Sequence, residues 1–215
     1  MEQVIDFVRY FWETKSDIAI LTGQHLWLSF LGVLIGTLTA VPLGIIISRS
    51  PKLSALVIDM AGILYTVPSL AMLGFLLPFL GLGWLPTVVA LVIYSWLPVL
   101  RNTCAGLAGI DPAVKEAAIG MGATPFQLLV RVELPLAFPV IMASVRTITV
   151  LTVGIATFGA LVGGGGLGEL IFTGISMMDN RMVLAGTIPV ALMAVLFDQI
   201  LGYVERHLRM KAGLA

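Results

Sequence analysis

The chain has 215 residues, 59% of them hydrophobic and 11% charged, with a formal net charge of zero. Soluble domains run at about 45–50% apolar and about 25% charged, which excludes one water-soluble core and makes lipid the expected solvent. Twelve basic residues balance twelve acidic ones, leaving no charge excess for nucleic acid, and a single cysteine, Cys104, excludes a disulfide framework within the chain.

The first segment spans residues 2–14. Glu2, Asp6, Glu13 and Asp17 interrupt any apolar run, so a cleavable signal peptide is not expected. Val4, Ile5, Val8, Phe11 and Trp12 share one face at helical spacing. An amphipathic helix at the lipid interface is expected, with Phe11 and Trp12 in the aromatic belt. The alternative is a mobile tail.

A helix needs about 20 apolar residues to cross a roughly 30 Å hydrocarbon layer. Five stretches meet that need: about 25–48, 54–80, 85–105, 136–162 and 182–204. Backbone groups in lipid must be paired within the segment, so these are expected to be helices. Membrane helices tolerate internal prolines such as Pro42, Pro68, Pro98, Pro139 and Pro189. The expected fold is an all-α integral membrane protein with five transmembrane helices in one domain.

Between the third and fourth spans lies a polar loop, residues 106–134. Asp111-Pro112 reads as a helix start, with Asp as the cap and Pro at the first helical position. That helix runs through Glu116 and stops near Gly120 and Gly122. Thr124-Pro125-Phe126-Gln127 reads as a capping box opening a second short helix that ends near Glu133. Leu134-Pro135 then leads into the fourth span. Two short helices around a glycine turn make a compact knob. By these signals alone it is either a docking element for another protein or a pair of interfacial helices.

Gly163-Gly164-Gly165-Gly166-Leu167-Gly168 follows the fourth span. No Lys-Ser or Lys-Thr comes after it, so the phosphate-loop pattern fails. The expectation is a sharp turn opening a short helix over about 167–177, placed to help form an outer gate. The alternative is a plain turn between spans.

Three ionisable residues fall inside spans: Asp59, Arg146 and Asp198. A mutually neutralising ion pair or triad bracing one half of the bundle is expected. Arg49, Lys52, Arg101, Lys115, Arg131, Arg206, Arg209 and Lys211 share one side, against Arg9, Lys15 and Arg181 on the other. The positive-inside bias places the loop at 106–134 and the C-terminus in the cytoplasm, with the N-terminus outside.

The loop carries a spaced motif: Glu116-Ala117-Ala118, Gly122, Val132, then Leu134-Pro135. It resembles the cytoplasmic coupling loop of the membrane-spanning permeases of type I ABC importers, with Val132 where Ile is usual. Pro42-Leu43-Gly44, Ser48-Arg49, Thr66 to Ala71, Tyr94 to Pro98 and Arg101-Asn102-Thr103 resemble the osmoprotectant branch. That branch imports glycine betaine, carnitine, choline and related quaternary amines. Methionine and related amino-acid importers share the five-span plan and remain an alternative.

The resemblance implies the type I ABC importer permease fold in a bacterial cytoplasmic membrane. It implies that Glu116, Ala117, Ala118, Gly122, Leu134 and Pro135 couple the spans to a pair of ATP-binding ATPase subunits. A second permease subunit, identical or related, and an extracytoplasmic substrate-binding protein are also implied. That protein would land near Gly163, Gly164, Gly165, Gly166 and Gly168. No catalytic residue, metal site or cofactor is expected in this chain. A secondary transporter would need midplane ion ligands and an inverted repeat. An intramembrane enzyme would need a base near Cys104, whereas His25 and His207 fall at opposite faces. Neither pattern is visible.

Overall fold

The computed structural model describes residues 2–211. The helices in chain order are α1 (Glu2–Glu13), α2 (Lys15–Ile47), α3 (Pro51–Thr66), α4 (Ser69–Leu80) and α5 (Trp84–Ala108). Then come α6 (Pro112–Gly120), α7 (Pro125–Leu128), α8 (Leu134–Ala156), α9 (Gly168–Met177) and α10 (Asn180–Lys211). A π turn, Leu129–Glu133, joins α7 to α8, and a 3-10 turn, Thr157–Val162, extends α8.

Small residues set the central packing. Gly32, Gly36, Ala40 and Gly44 recur every four positions on α2 and form a smooth ridge that lets another backbone approach. A Cβ added at Gly32, Gly36 or Gly44 would lie 2.6–2.8 Å from the side chains of Leu91, Ser95 and Thr103 respectively. Partner numbers rise together, so α2 and α5 run parallel. α8 runs antiparallel to α5, with Gly106 against Ala137 at one end and Thr87 against Gly159 at the other. α10 runs antiparallel to α8, with Asp198 on Arg146 and Gly186 against Leu167.

Two parallel helices joined through α3 and α4 require that pair to carry the chain back across the bundle. It does so in two pieces bent by 97°. The span expected at 54–80 is therefore a broken helix. Pro68 is the cause: it has no N–H for the ladder, and it drives Val67 out of the α region, to φ −64 and ψ 128. The freed Val67 carbonyl accepts the Tyr94 hydroxyl at 2.5 Å. Four helical runs are long and apolar enough to cross a membrane, and five when the bent α3–α4 pair is taken as one span.

Two other boundaries differ from expectation. α2 begins at Lys15, not near residue 25, and runs on through Gln24 and His25, each of which bonds the backbone of another element. Gln24 Oε1 accepts the Gly166 N–H at 3.0 Å, and His25 Nε2 lies 2.9 Å from the Val153 carbonyl oxygen. On α1, Ile5, Val8 and Trp12 are exposed. Phe11 instead joins Phe7 and Tyr10 in packing on the cluster of Ile18, Leu170 and Met193. It therefore does not share an outward belt with Trp12. The side chain of Val4 lies outside the described residues.

Candidate functional site

At the end where α2, α5 and α10 finish and α8 begins, the chain builds its loop from local signals. Asp111 Oδ1 accepts the Ala113 N–H at 2.8 Å, with Pro112 opening α6. α6 closes with Ala123 N–H on the Ala118 carbonyl (3.1 Å) and Gly122 N–H on that of Ile119 (2.9 Å). Gly122 sits at φ +85. This is a Schellman closure, so the spacing from Ala118 to Gly122 is that from the first carbonyl outside the regular helical ladder to the left-handed residue. Thr124 and Gln127 form a complete capping box, with bonds of 3.3 and 2.9 Å.

Glu116 and Ala117 are exposed, while Ala118 is buried. The two alanines therefore do not form one docking face, since successive helical side chains point about 100° apart. The outward apolar surface comes instead from Ile119, Met121 and Phe126, at 56%, 84% and 73% exposure. Sequence reasoning missed these three. Their signal was large apolar side chains inside a polar, glycine-bounded loop.

The second short helix does not stop at Glu133. The chain passes through the π turn straight into α8, and the Leu134 N–H reaches back to the Leu129 carbonyl. Pro135, exposed in the first turn of α8, accounts for this. It lacks the N–H that would bond the Arg131 carbonyl, and its ring would crowd that oxygen. A wider turn relieves the conflict.

Glu133, also missed, is 2% exposed and lies at the centre of an ion cluster. Arg49 grips both its oxygens, at 2.6 and 3.3 Å. Lys115 lies 3.4 Å away on α6 and also donates to the Leu107 carbonyl at 3.0 Å. The available signal was a lone carboxylate beside the Leu-Pro pair.

Higher in the bundle, Arg146 donates to both oxygens of Asp198, at 2.6 and 2.8 Å, and to Glu205 at 3.3 Å. Glu205 also pairs with Arg209 at 3.0 Å. Asp59 is exposed on α3 and makes no ion pair among the described residues. Glu205 takes the third place because it lies two turns after Asp198 on the same face of α10.

The glycine run lies at the opposite end. Gly163, Gly165 and Gly166 take left-handed φ. A Cβ at Gly164 would lie 2.6 Å from Thr87 Oγ1, and one at Gly168 would strike the Thr157 carbonyl. Gly165, Gly166 and Gly168 are buried, so the turn knits α8 to α2 and α5 rather than presenting its glycines. The outward residues there are Glu169, Ile175, Met177 and Met178. Next to them Asp179 caps α10, and its hydrogen bond from Arg181 holds its carboxyl down at about 2.

Residues 32–210 match the family described as binding-protein-dependent transport system inner membrane component. The carnitine transport permease protein OpuCB of Listeria monocytogenes is 43% identical over 205 residues, covering 95% of this chain and 94% of that one. The choline transport system permease protein OpuBB of Bacillus subtilis strain 168 is 40% identical over 208 residues, covering 97% and 94%. A chain of the MetNI methionine ABC transporter, solved in inward facing conformations, superposes with a TM-score of 0.77 at 22% identity, covering 86% and 93%. That likeness is one of fold. The chain thus belongs to the binding-protein-dependent transport system inner membrane component family, as a multi-pass permease subunit on the osmoprotectant branch of the ABC importers rather than an enzyme.

Proposed function

We propose that this subunit forms part of the route by which an ATP-driven importer brings in a quaternary amine osmoprotectant such as glycine betaine, carnitine or choline. The observation that carries the solute class is near-full-length identity of 40% or more to permeases named for carnitine and choline. Five crossings are few for enclosing a polar route, which favours pairing with a second permease subunit, identical or related. The exposed apolar residues Ile63, Phe75 and Phe79 on α3 and α4 suit burial against lipid or such a partner.

The loop is the docking element for the ATPase pair, on the cytoplasmic side. Glu116 supplies a charge for a basic residue there, while Ile119, Met121 and Phe126 supply apolar contact. Gly122, closing α6, keeps the knob compact. Leu134 and Pro135 join it to α8, so closure of the ATPase pair is passed to the spans. The N-terminus lies outside, where Glu169, Ile175, Met177 and Met178 beside the glycine turn form the outer gate region and receive the binding protein. Trp12, with the Lys15 ammonium 4.0 Å from its ring centre, sits at the lipid interface. Arg146, Asp198 and Glu205 brace the inner half.

A strain lacking its own osmolyte importers tests the solute class. Given this chain with its cognate ATPase and binding protein, and able to oxidise choline to glycine betaine, it should regain growth at high salinity when glycine betaine, carnitine or choline is supplied. No rescue by any of the three, with all subunits present in the membrane, would overturn the assignment.

A further inference from the structure

We propose that Glu133 is a positioning residue: a three-way joint that passes movement of the coupling helix to α2 and α3 as well as to α8. The proposal rests on the coupling-loop reading and adds a route to it.

α6 is loosely seated. A groove of about 430 Å³, lined by Gly106, Ile110, Val114, Leu136 and Val140, separates it from the feet of α5 and α8. Lys115 ties α6 to its neighbours, bonding the Leu107 carbonyl of α5 at 3.0 Å and reaching Glu133 at 3.4 Å. Glu133 in turn holds Arg49, at the corner between α2 and α3, at 2.6 Å. Its own backbone is the last residue of the π turn and leads into α8. Three elements that do not follow one another in the chain therefore meet on one carboxylate.

Two features make this a joint and not only a brace. π turns interrupt the regular ladder of a helix and recur at functional sites, and this one lies between the knob and its span. A carboxylate at 2% exposure is tolerated only while its cations stay with it. When α6 moves, Lys115, Glu133 and Arg49 must move together. The pull then reaches the α2–α3 corner directly, without passing through α8. The motif that marks the loop leaves position 133 unspecified, between Val132 and Leu134.

The test uses the assembled transporter in lipid vesicles, with its cognate ATPase and binding protein. The readout is the ratio of binding-protein-stimulated to basal ATP hydrolysis. Glu133→Gln keeps the shape and removes the charge. Arg49→Gln and Lys115→Gln each remove one cation from a partly exposed position, and they decide the matter if Glu133→Gln does not assemble.

The ratio should fall about tenfold in each variant, with Arg49→Gln/Glu133→Gln no worse than Glu133→Gln alone, as members of one network behave. Restoration of the ratio by Glu133→Asp would support the same conclusion. A purely structural role would lower both rates in step with the amount of assembled complex and leave the ratio at its wild-type value. That result overturns the proposal. Gly122→Asp separates the two readings. If it loses stimulation while all three Gln variants keep it, the joint fails and the coupling loop stands. If it also keeps stimulation, the coupling-loop reading fails, and the joint with it.

Discussion

Glu133 and Arg49 stand 84 positions apart in the chain and 2.6 Å apart in the fold, yet the burial is one-sided: the glutamate side chain is 2% exposed and the arginine 53%. The two ends of the bond therefore respond differently to substitution. Removing the cations strands a buried charge, whereas removing the charge leaves cations that water can reach. Arg49→Ala/Lys115→Ala should lower stability by about 3 kcal/mol. Adding Glu133→Gln should recover most of that loss. Thermal unfolding in detergent measures both, and a triple variant as unstable as the double contradicts the asymmetry.

The parallel contact of α2 on α5 leaves no room at its centre. A Cβ at Gly36 would lie 2.6 Å from Ser95 Cβ, while one at Gly23 meets nothing within 4 Å. Gly36→Val should destabilise by about 1–3 kcal/mol through overpacking. Gly23→Ala on the same helix should be neutral or slightly stabilising. Equal unfolding midpoints for the two would remove the packing argument.

Gly122 carries a conformational demand and not a steric one. Its φ is +85, and an added Cβ would meet nothing within 4 Å. Asn, which tolerates the left-handed region, should therefore substitute better than Val, which costs roughly 1–2 kcal/mol there. Gly122→Asn should keep more of the ATPase bound on co-purification than Gly122→Val. Equal retention would point to a role for the bare surface at Gly122 instead.

Much of this loop was legible in the sequence because its signals are local. Asp111-Pro112, Gly122 and the Thr124–Gln127 box each act within four residues, and each appears where expected. Long-range partners were not legible. Nothing near Glu133 points to Arg49, and the charge pattern that joined Asp59 to Arg146 holds no record of which face α3 turns outward. The break in the second crossing hinged on Pro68. Several spans carry prolines, and Pro42 and Pro98 lie inside continuous helices. At Pro68 the Tyr94 hydroxyl, from another helix, takes up the freed carbonyl, so the outcome depended on tertiary context.

Arg146 binds Asp198 and Glu205 at once, whereas Asp59 stands apart. Arg146→Leu leaves Asp198 without its cation and Glu205 with Arg209 alone, and should lower the unfolding midpoint. Asp59→Asn should leave the unfolding midpoint in place. Matching losses for the two variants would restore Asp59 to the cluster.

In the proposed function, ATP hydrolysis by a partner drives solute through this subunit by way of the loop closed at Gly122. The most direct measurement is ATP-dependent uptake of labelled glycine betaine, carnitine and choline into vesicles. These vesicles carry this chain, its cognate ATPase and its binding protein, beside the same assembly with Gly122→Asp. Uptake of at least one of the three is expected, dependent on ATP and abolished by Gly122→Asp. Uptake that proceeds without ATP, or that Gly122→Asp leaves intact in the assembled complex, would contradict the proposed function.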